Sequence, residues 1–103
     1  MMKDKILRKL FLGFIQIHIL RHASQSPFFG AWLMDHLQAH GYRVSPGMLY
    51  PLLHRMETDE LIKMEVQVAE GRQRKFYRIT PLGREVLDEA NYKITELSHR
   101  MND

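Results

Sequence analysis

The 103-residue chain has no cysteine, which excludes a disulfide framework, thiolate metal sites and cysteine nucleophiles and fits a reducing, cytoplasmic setting. Nor does it have a glycine-rich phosphate loop. Its serines at 24, 26, 45 and 98 fall in loop, cap or helix-tail positions without a visible base and acid partner, so no catalytic set and no cofactor motif emerge. No apolar run approaches the roughly 20 residues needed to cross a bilayer. The stretch Leu10–Leu20 follows Lys3, Lys5, Arg8 and Lys9 as in a secretory peptide, but Gln16 and His18 interrupt it and no small-x-small site follows cleanly. It reads as a buried helix. Acids are also missing from Gly71 to Arg84, where Arg72, Arg74, Lys75, Arg78 and Arg84 lie, whereas Glu85–Asp103 holds five acids against Lys93 and Arg100. A basic segment beside an acidic one suits a polyanion on one face. Taken alone, it would better suit a solvated turn that happens to be basic.

What is present is an ordinary folded composition, 45% hydrophobic and 26% charged, in a length that makes one domain. A body this small buries a limited share of its surface, so self-association is an expected source of stability.

Proline and glycine punctuate the chain. A first helix is predicted from Asp4 to His22, apolar nearly all round: Ile6, Leu10, Phe14 and Ile17 form one stripe, and Leu7, Phe11 and Ile15 another. One side would face the body and the other a second subunit. Ser26-Pro27 gives an N-cap and first-turn proline for a second helix reaching His40, which Gly41 ends in a left-handed turn with Tyr42 as its apolar contact. Ser45-Pro46 repeats the start signal for a third helix to about Thr58. There Leu49, Leu52, Leu53 and Met56 fall at i, i+3, i+4 and i+7, a one-sided core stripe. Two helices joined by a short glycine-containing turn make a helix-turn-helix.

Strict alternation follows. Ile62, Met64, Val66 and Val68 point one way, and Lys63, Glu65 and Gln67 the other, predicting a half-buried strand. A second strand, Lys75–Ile79, closes a hairpin across Ala69–Arg74 and places a basic tip at Arg72-Gln73-Arg74-Lys75. Thr80-Pro81 opens the last helix, whose Leu87, Ala90, Ile94, Leu97 and Met101 make a short heptad seam suited to a partner helix or to the chain's own first helix.

The fold expected is α+β and mainly helical: a winged helix-turn-helix with a two-stranded antiparallel wing and a C-terminal dimerisation helix. Residues 1–80 would form the DNA-binding unit and 81–103 the dimerisation helix of the same compact body. With the leucine stripe inward, Gly47, Tyr50, Pro51, His54 and Thr58 face out and include no acid. That face suits a major groove, with N-terminal residues nearest the base edges. Ser45 and neighbouring backbone N–H groups would hold phosphate. Gly47, Met48, Tyr50 and His54 would carry readout, and Arg72, Gln73, Arg74 and Lys75 backbone contacts. Pro51 forfeits a helical hydrogen bond. The resulting bend would either serve the groove or be absorbed by a short helix in a packed fold.

Ser45-Pro46-Gly47-Met48-Leu49-Tyr50-Pro51-Leu52-Leu53-His54-Arg55-Met56-Glu57 followed by Leu61-Ile62 resembles the recognition helix of PadR-like transcriptional regulators. Gly71-Arg72-Gln73-Arg74-Lys75-Phe76-Tyr77-Arg78-Ile79-Thr80-Pro81-Leu82-Gly83 resembles that family's wing, and Phe28-Phe29-Gly30 is similar as well. The resemblance implies a homodimer on double-stranded operator DNA, usually a repressor, with the first and last helices at the interface. Glu60 departs from the family's usual glycine before Leu61-Ile62. Glutamate adopts the left-handed conformation poorly, so the third helix is expected to end differently here.

Three features point elsewhere. The i, i+4 pairs His18/His22 and His36/His40 have metal-ligand spacing, but neither helix carries a third ligand beside its pair, so packed or solvated histidines are expected. A dimer that brought the pairs together would make a metal sensor. Trp32 and Met34 fit a plain core, or else a cavity for a planar aromatic effector such as some relatives bind. A winged helix that serves as a protein-interaction adaptor is the alternative from another class; the basic tip and acid-free helix face argue against it.

Overall fold

The computed structural model describes residues 2–102; Asp103, counted above among the tail's acids, lies outside them. The elements run α1 (Met2–Gln25), β1 (Phe28–Phe29), α2 (Gly30–Ala39), α3 (Pro46–Thr58), β2 (Ile62–Ala69), β3 (Arg72–Ile79) and α4 (Pro81–Met101). Helices and a small antiparallel sheet share one core, as the α+β reading requires.

The α3 stripe behaves as its spacing demands. Leu49, Leu52, Leu53 and Met56 are all buried, in one cluster with Ile15 and Ile19 of α1, Leu33 and Leu37 of α2, and Ile62 of β2. Both helix ends that shape the helix-turn-helix are Schellman turns. The Tyr42 N–H donates to the Leu37 carbonyl at 3.0 Å and the Gly41 N–H to Gln38 at 3.1 Å, with Gly41 at φ +86°. At the end of α3 the Leu61 N–H donates to Met56 at 3.0 Å and the Glu60 N–H to Glu57 at 2.9 Å. Here Glu60 itself takes the left-handed position, φ 62°. The helix therefore ends at Thr58 as its pattern suggests, and the missing glycine is met by backbone strain instead of a shifted terminus.

Two expectations fail at the second helix. Ser26-Pro27 does not start it; the Ser26 N–H extends α1 by donating to His22 at 3.1 Å. Phe28 and Phe29 form a short strand antiparallel to β3, opposite Tyr77 and Phe76, and α2 begins only at Gly30. The sheet is thus three-stranded, in the order β1-β3-β2. A two-residue strand has no periodicity of its own and exists only through a partner some fifty residues away in sequence.

The hairpin also differs from its expected form. Its turn is just Glu70-Gly71, both at positive φ (55° and 74°), a two-residue turn whose hand matches strand twist. Arg72–Lys75 consequently lie within β3, opposite Ala69–Val66. By strand alternation Arg72 and Arg74 share one face and Gln73 and Lys75 the other, so the basic quartet is not a tip. On the inner face Ile62 is buried and Met64 half-buried, but Val66 and Val68 are exposed, because the hairpin runs out beyond the helices.

Thr80 caps α4 by accepting from the Gly83 N–H at 3.0 Å, and its own N–H donates to the Leu61 carbonyl at 3.2 Å. Gly83 then passes so close to the end of α3 that a Cβ would stand 2.1 Å from the Leu61 carbonyl oxygen. Leu87 is buried against the body, whereas Ile94, Leu97 and Met101 of the same seam are exposed. At the other end of the chain Ile6, Leu7, Leu10 and Phe14 of α1 are also exposed. Among the described residues no helix is long and apolar enough to cross a membrane.

These local geometries have measurable costs. Glu60→Gly should raise unfolding free energy by about 1 kcal/mol by removing left-handed strain. Gly83→Ala should lower it by at least about 2 kcal/mol through overpacking against backbone. Urea titrations of the two variants check both signs.

Candidate nucleic-acid interface

With its leucines buried, α3 turns Gly47, Tyr50, Pro51, His54 and Thr58 to solvent. The helix is continuous through Pro51, which leaves the Gly47 carbonyl without its helical donor on the exposed side. Ser45 is the N-cap and is exposed, but its hydroxyl makes no cap hydrogen bond. Met48, expected to carry readout, is half-buried and packed against the core. It lies four residues before buried Leu52, on the same side of the helix.

Beside this face runs β3, and the two border an open groove of about 490 Å³. Tyr50, His54 and Glu57 of α3 line one wall, Arg74 and Lys75 of β3 the other, with Phe29 and Gly30 at one end. Arg74 and Lys75 come from opposite faces of the strand. Arg74 reaches the groove because the β1–β3 register sets Phe29 beside it, and its guanidinium lies 4.6 Å from the centre of the Phe29 ring. Phe29 in turn meets Phe76 edge-on at 5.8 Å. Tyr50 is 44% exposed, and its ring occupies the space that Gly30 leaves: a Cβ at Gly30 would stand 2.7 Å from Tyr50 Cε1. Sequence reasoning missed these supports, since Phe29 and Gly30 act only through side chains distant in the chain.

Among the described residues Glu57 is the one acid lining the groove. It qualifies the acid-free description, which holds for the outermost face of α3 but not for the side turned to the sheet. Burial first, then Glu57 and Tyr50, push the Tyr77 hydroxyl above its ordinary range, so it stays protonated. Arg72 and Gln73 are exposed near the turn and do not line the groove. Arg78 is engaged by Glu65 at 2.8 Å across the hairpin.

The histidine pairs, expected to be separate, meet. Rings of His22 on α1 and His36 on α2 lie 4.2 Å apart, His36 and His40 4.3 Å, and His18 and His22 6.5 Å. Burial first, then neighbouring positive groups (Arg21 foremost for His18, His36 for His22), lower the pKa of both α1 imidazoles. Trp32 is not core: it is 40% exposed, stacked on His36 at 4.8 Å, while Met34 is buried.

A profile of the transcriptional regulator PadR-like family matches residues 19–89. The chain is 48% identical over 87 residues to the transcriptional regulator Rv3488 of Mycobacterium tuberculosis, spanning 84% of this chain and 81% of that protein. It is similar to the crystal structure of a PadR-like transcriptional regulator from Bacillus cereus, with TM-score 0.83, 34% identity and coverage of 91% and 93%. A PadR family regulator from Eggerthella lenta gives TM-score 0.81 at 27% identity, covering 98% of this chain and 89% of that one.

Because the Tyr50 ring is partly exposed and can swing, Gly30→Ala should cost less than the roughly 1–3 kcal/mol of core overpacking while displacing that ring. A near-native urea midpoint with altered Tyr50 ring resonances checks this.

Proposed function

Since the chain belongs to the PadR-like family of transcriptional regulators, we propose that it binds double-stranded DNA as a homodimer and represses transcription from a palindromic operator. The observation that carries this reading is the groove in which Tyr50 and His54 stand exposed opposite Arg74 and Lys75. α3 enters the major groove with Gly47, Tyr50 and His54 toward base edges. Ser45, whose hydroxyl is not used as a cap, donates to phosphate at the helix start. Arg74 and Lys75 neutralise backbone phosphates beside the groove, and Arg72 and Gln73 do so nearer the turn. Met48 holds the helix from the core side and takes no part in readout.

Exposed apolar surface supports the dimer. Leu10 and Phe14 of α1 and Ile94, Leu97 and Met101 of α4 are large apolar side chains left exposed on two helices, the kind of surface that a partner subunit covers. Pairing these helices across a twofold axis sets two copies of α3 about 34 Å apart, one turn of the duplex. Such a protein works in the cytoplasm, where the DNA is.

Measured by fluorescence anisotropy on a bound duplex, Arg74→Ala/Lys75→Ala should weaken binding to all sequences alike. It should reduce the slope of log K against log salt by about 0.9 for each phosphate that is no longer neutralised. An unchanged slope would contradict the wing assignment. In sedimentation equilibrium, Leu97→Glu should convert dimer to monomer, and the monomer should bind an intact operator roughly 100-fold more weakly through loss of bivalency. A Leu97→Glu protein that stays dimeric would exclude this interface.

A further inference from the structure

A row of aromatic rings runs across the junction of α1 and α2. Tyr42 meets His18 edge-on at 5.1 Å, and His18 lies 6.5 Å from His22. His22 of α1 is 4.2 Å from His36 of α2, which is 4.3 Å from His40. Trp32 stacks on His36 at 4.8 Å and meets His22 edge-on at 5.6 Å. Four of these rings can gain a proton, yet among the described residues none of the four forms an ion pair. The acid of α2, Asp35, is exposed and makes no ion pair with them. From α4, Arg84 reaches the Ser24 carbonyl at 3.5 Å, while Leu87, Asn91 and Ile94 border the cavity beside His18 and bring no charge. The charged or chargeable groups that bear on His18 and His22 are Arg21 and the other imidazoles, all positive when charged.

We infer that this row is an acid-release device: its imidazoles close the α1–α2 junction while neutral and loosen it when mild acid charges more than one of them. Two imidazolium rings with centres 4.2 Å apart repel, and they do so in a region half withdrawn from water, where charge is screened less than in bulk. No carboxylate stands in the row to offset them. His40, at the outer end, is exposed, so the row is open to protons from solvent.

The sign follows from the two α1 imidazoles. Burial first, then Arg21 for His18 and His36 for His22, lower their pKa in the folded chain. As pH falls past the ordinary imidazole value of about 6.5, the unfolded chain therefore binds protons first. Stability present above that value is lost on the way down to the folded pKa. The junction joins the helix with the exposed Leu10 and Phe14 to the helix whose Gly30 seats the Tyr50 ring, so its loosening bears on both surfaces. The device does not depend on what the α3 groove binds.

The experiment is urea unfolding of the full chain at one protein concentration, followed by circular dichroism at about pH 7.5 and about pH 5.5, either side of the imidazole value. The unfolding equilibrium constant should rise roughly tenfold on acidification, since each imidazole held neutral contributes up to about tenfold per pH unit. In His22→Gln/His36→Gln the rise should shrink to about threefold or less, because the central pair of charges is gone. His99→Gln, on α4 outside the row, should keep the full rise. If the double variant lacks helical circular dichroism at the higher pH, His18→Gln/His40→Gln, at the two ends of the row, takes its place and should likewise reduce the rise. Stability that does not fall over this range overturns the device, as does a fall that persists in full without His22 and His36 (or without His18 and His40) or that disappears with His99.

Discussion

Burial of the leucine stripe on α3 is the constraint from which the rest of the architecture follows. Leu49, Leu52, Leu53 and Met56 are withdrawn from water against α1, α2 and β2, at about 1.5–3 kcal/mol for each large side chain. A helix so anchored cannot rotate without exposing several of them at once. Its opposite face is therefore fixed toward solvent, and Tyr50 and His54 stand exposed because the leucines are buried. The Schellman turns at Gly41 and Glu60 set the angles at which the chain arrives and leaves. Thr80 and Gly83 then tie the start of α4 to the end of α3, coupling the helix that meets the groove to the helix with the exposed seam.

Much of this was legible in the sequence because it is local. The i, i+3, i+4, i+7 leucines, the Ser45-Pro46 and Thr80-Pro81 starts, and Gly41 followed by Tyr42 all depend on neighbours a few residues away, and each is found in the fold. What escaped is non-local. Phe28-Phe29 looks like the first turn of a helix until β3 offers it a partner. Two histidine pairs on separate helices become a single cluster only when α1 and α2 pack. Trp32 reads as core by composition, yet it is 40% exposed and stacks on His36, four residues along α2. The wing was misjudged for another reason. Glu70-Gly71 is a weaker turn signal than Asn-Gly or Asp-Gly, and without it the strands seemed shorter and the cations seemed to sit on a loop.

The candidate site shows the same division. Sequence periodicity placed Tyr50 and His54 outside, but it could not reveal that Gly30 makes room for the Tyr50 ring, that Phe29 steers Arg74, or that Glu57 borders the groove. Met48, four residues before buried Leu52, sits on the side of the helix that the leucines already commit to the core. The result is a cationic strand and a thin, weakly charged helix face set side by side.

Whether that surface meets operator DNA is tested most directly by incubating the purified chain with fragmented genomic DNA at physiological salt and sequencing what it retains. Enrichment of one inverted repeat whose half-site centres lie about 10–10.5 base pairs apart, or a multiple of this, is the predicted outcome. Retention without any common sequence, or none above a control protein of equal charge, would contradict it.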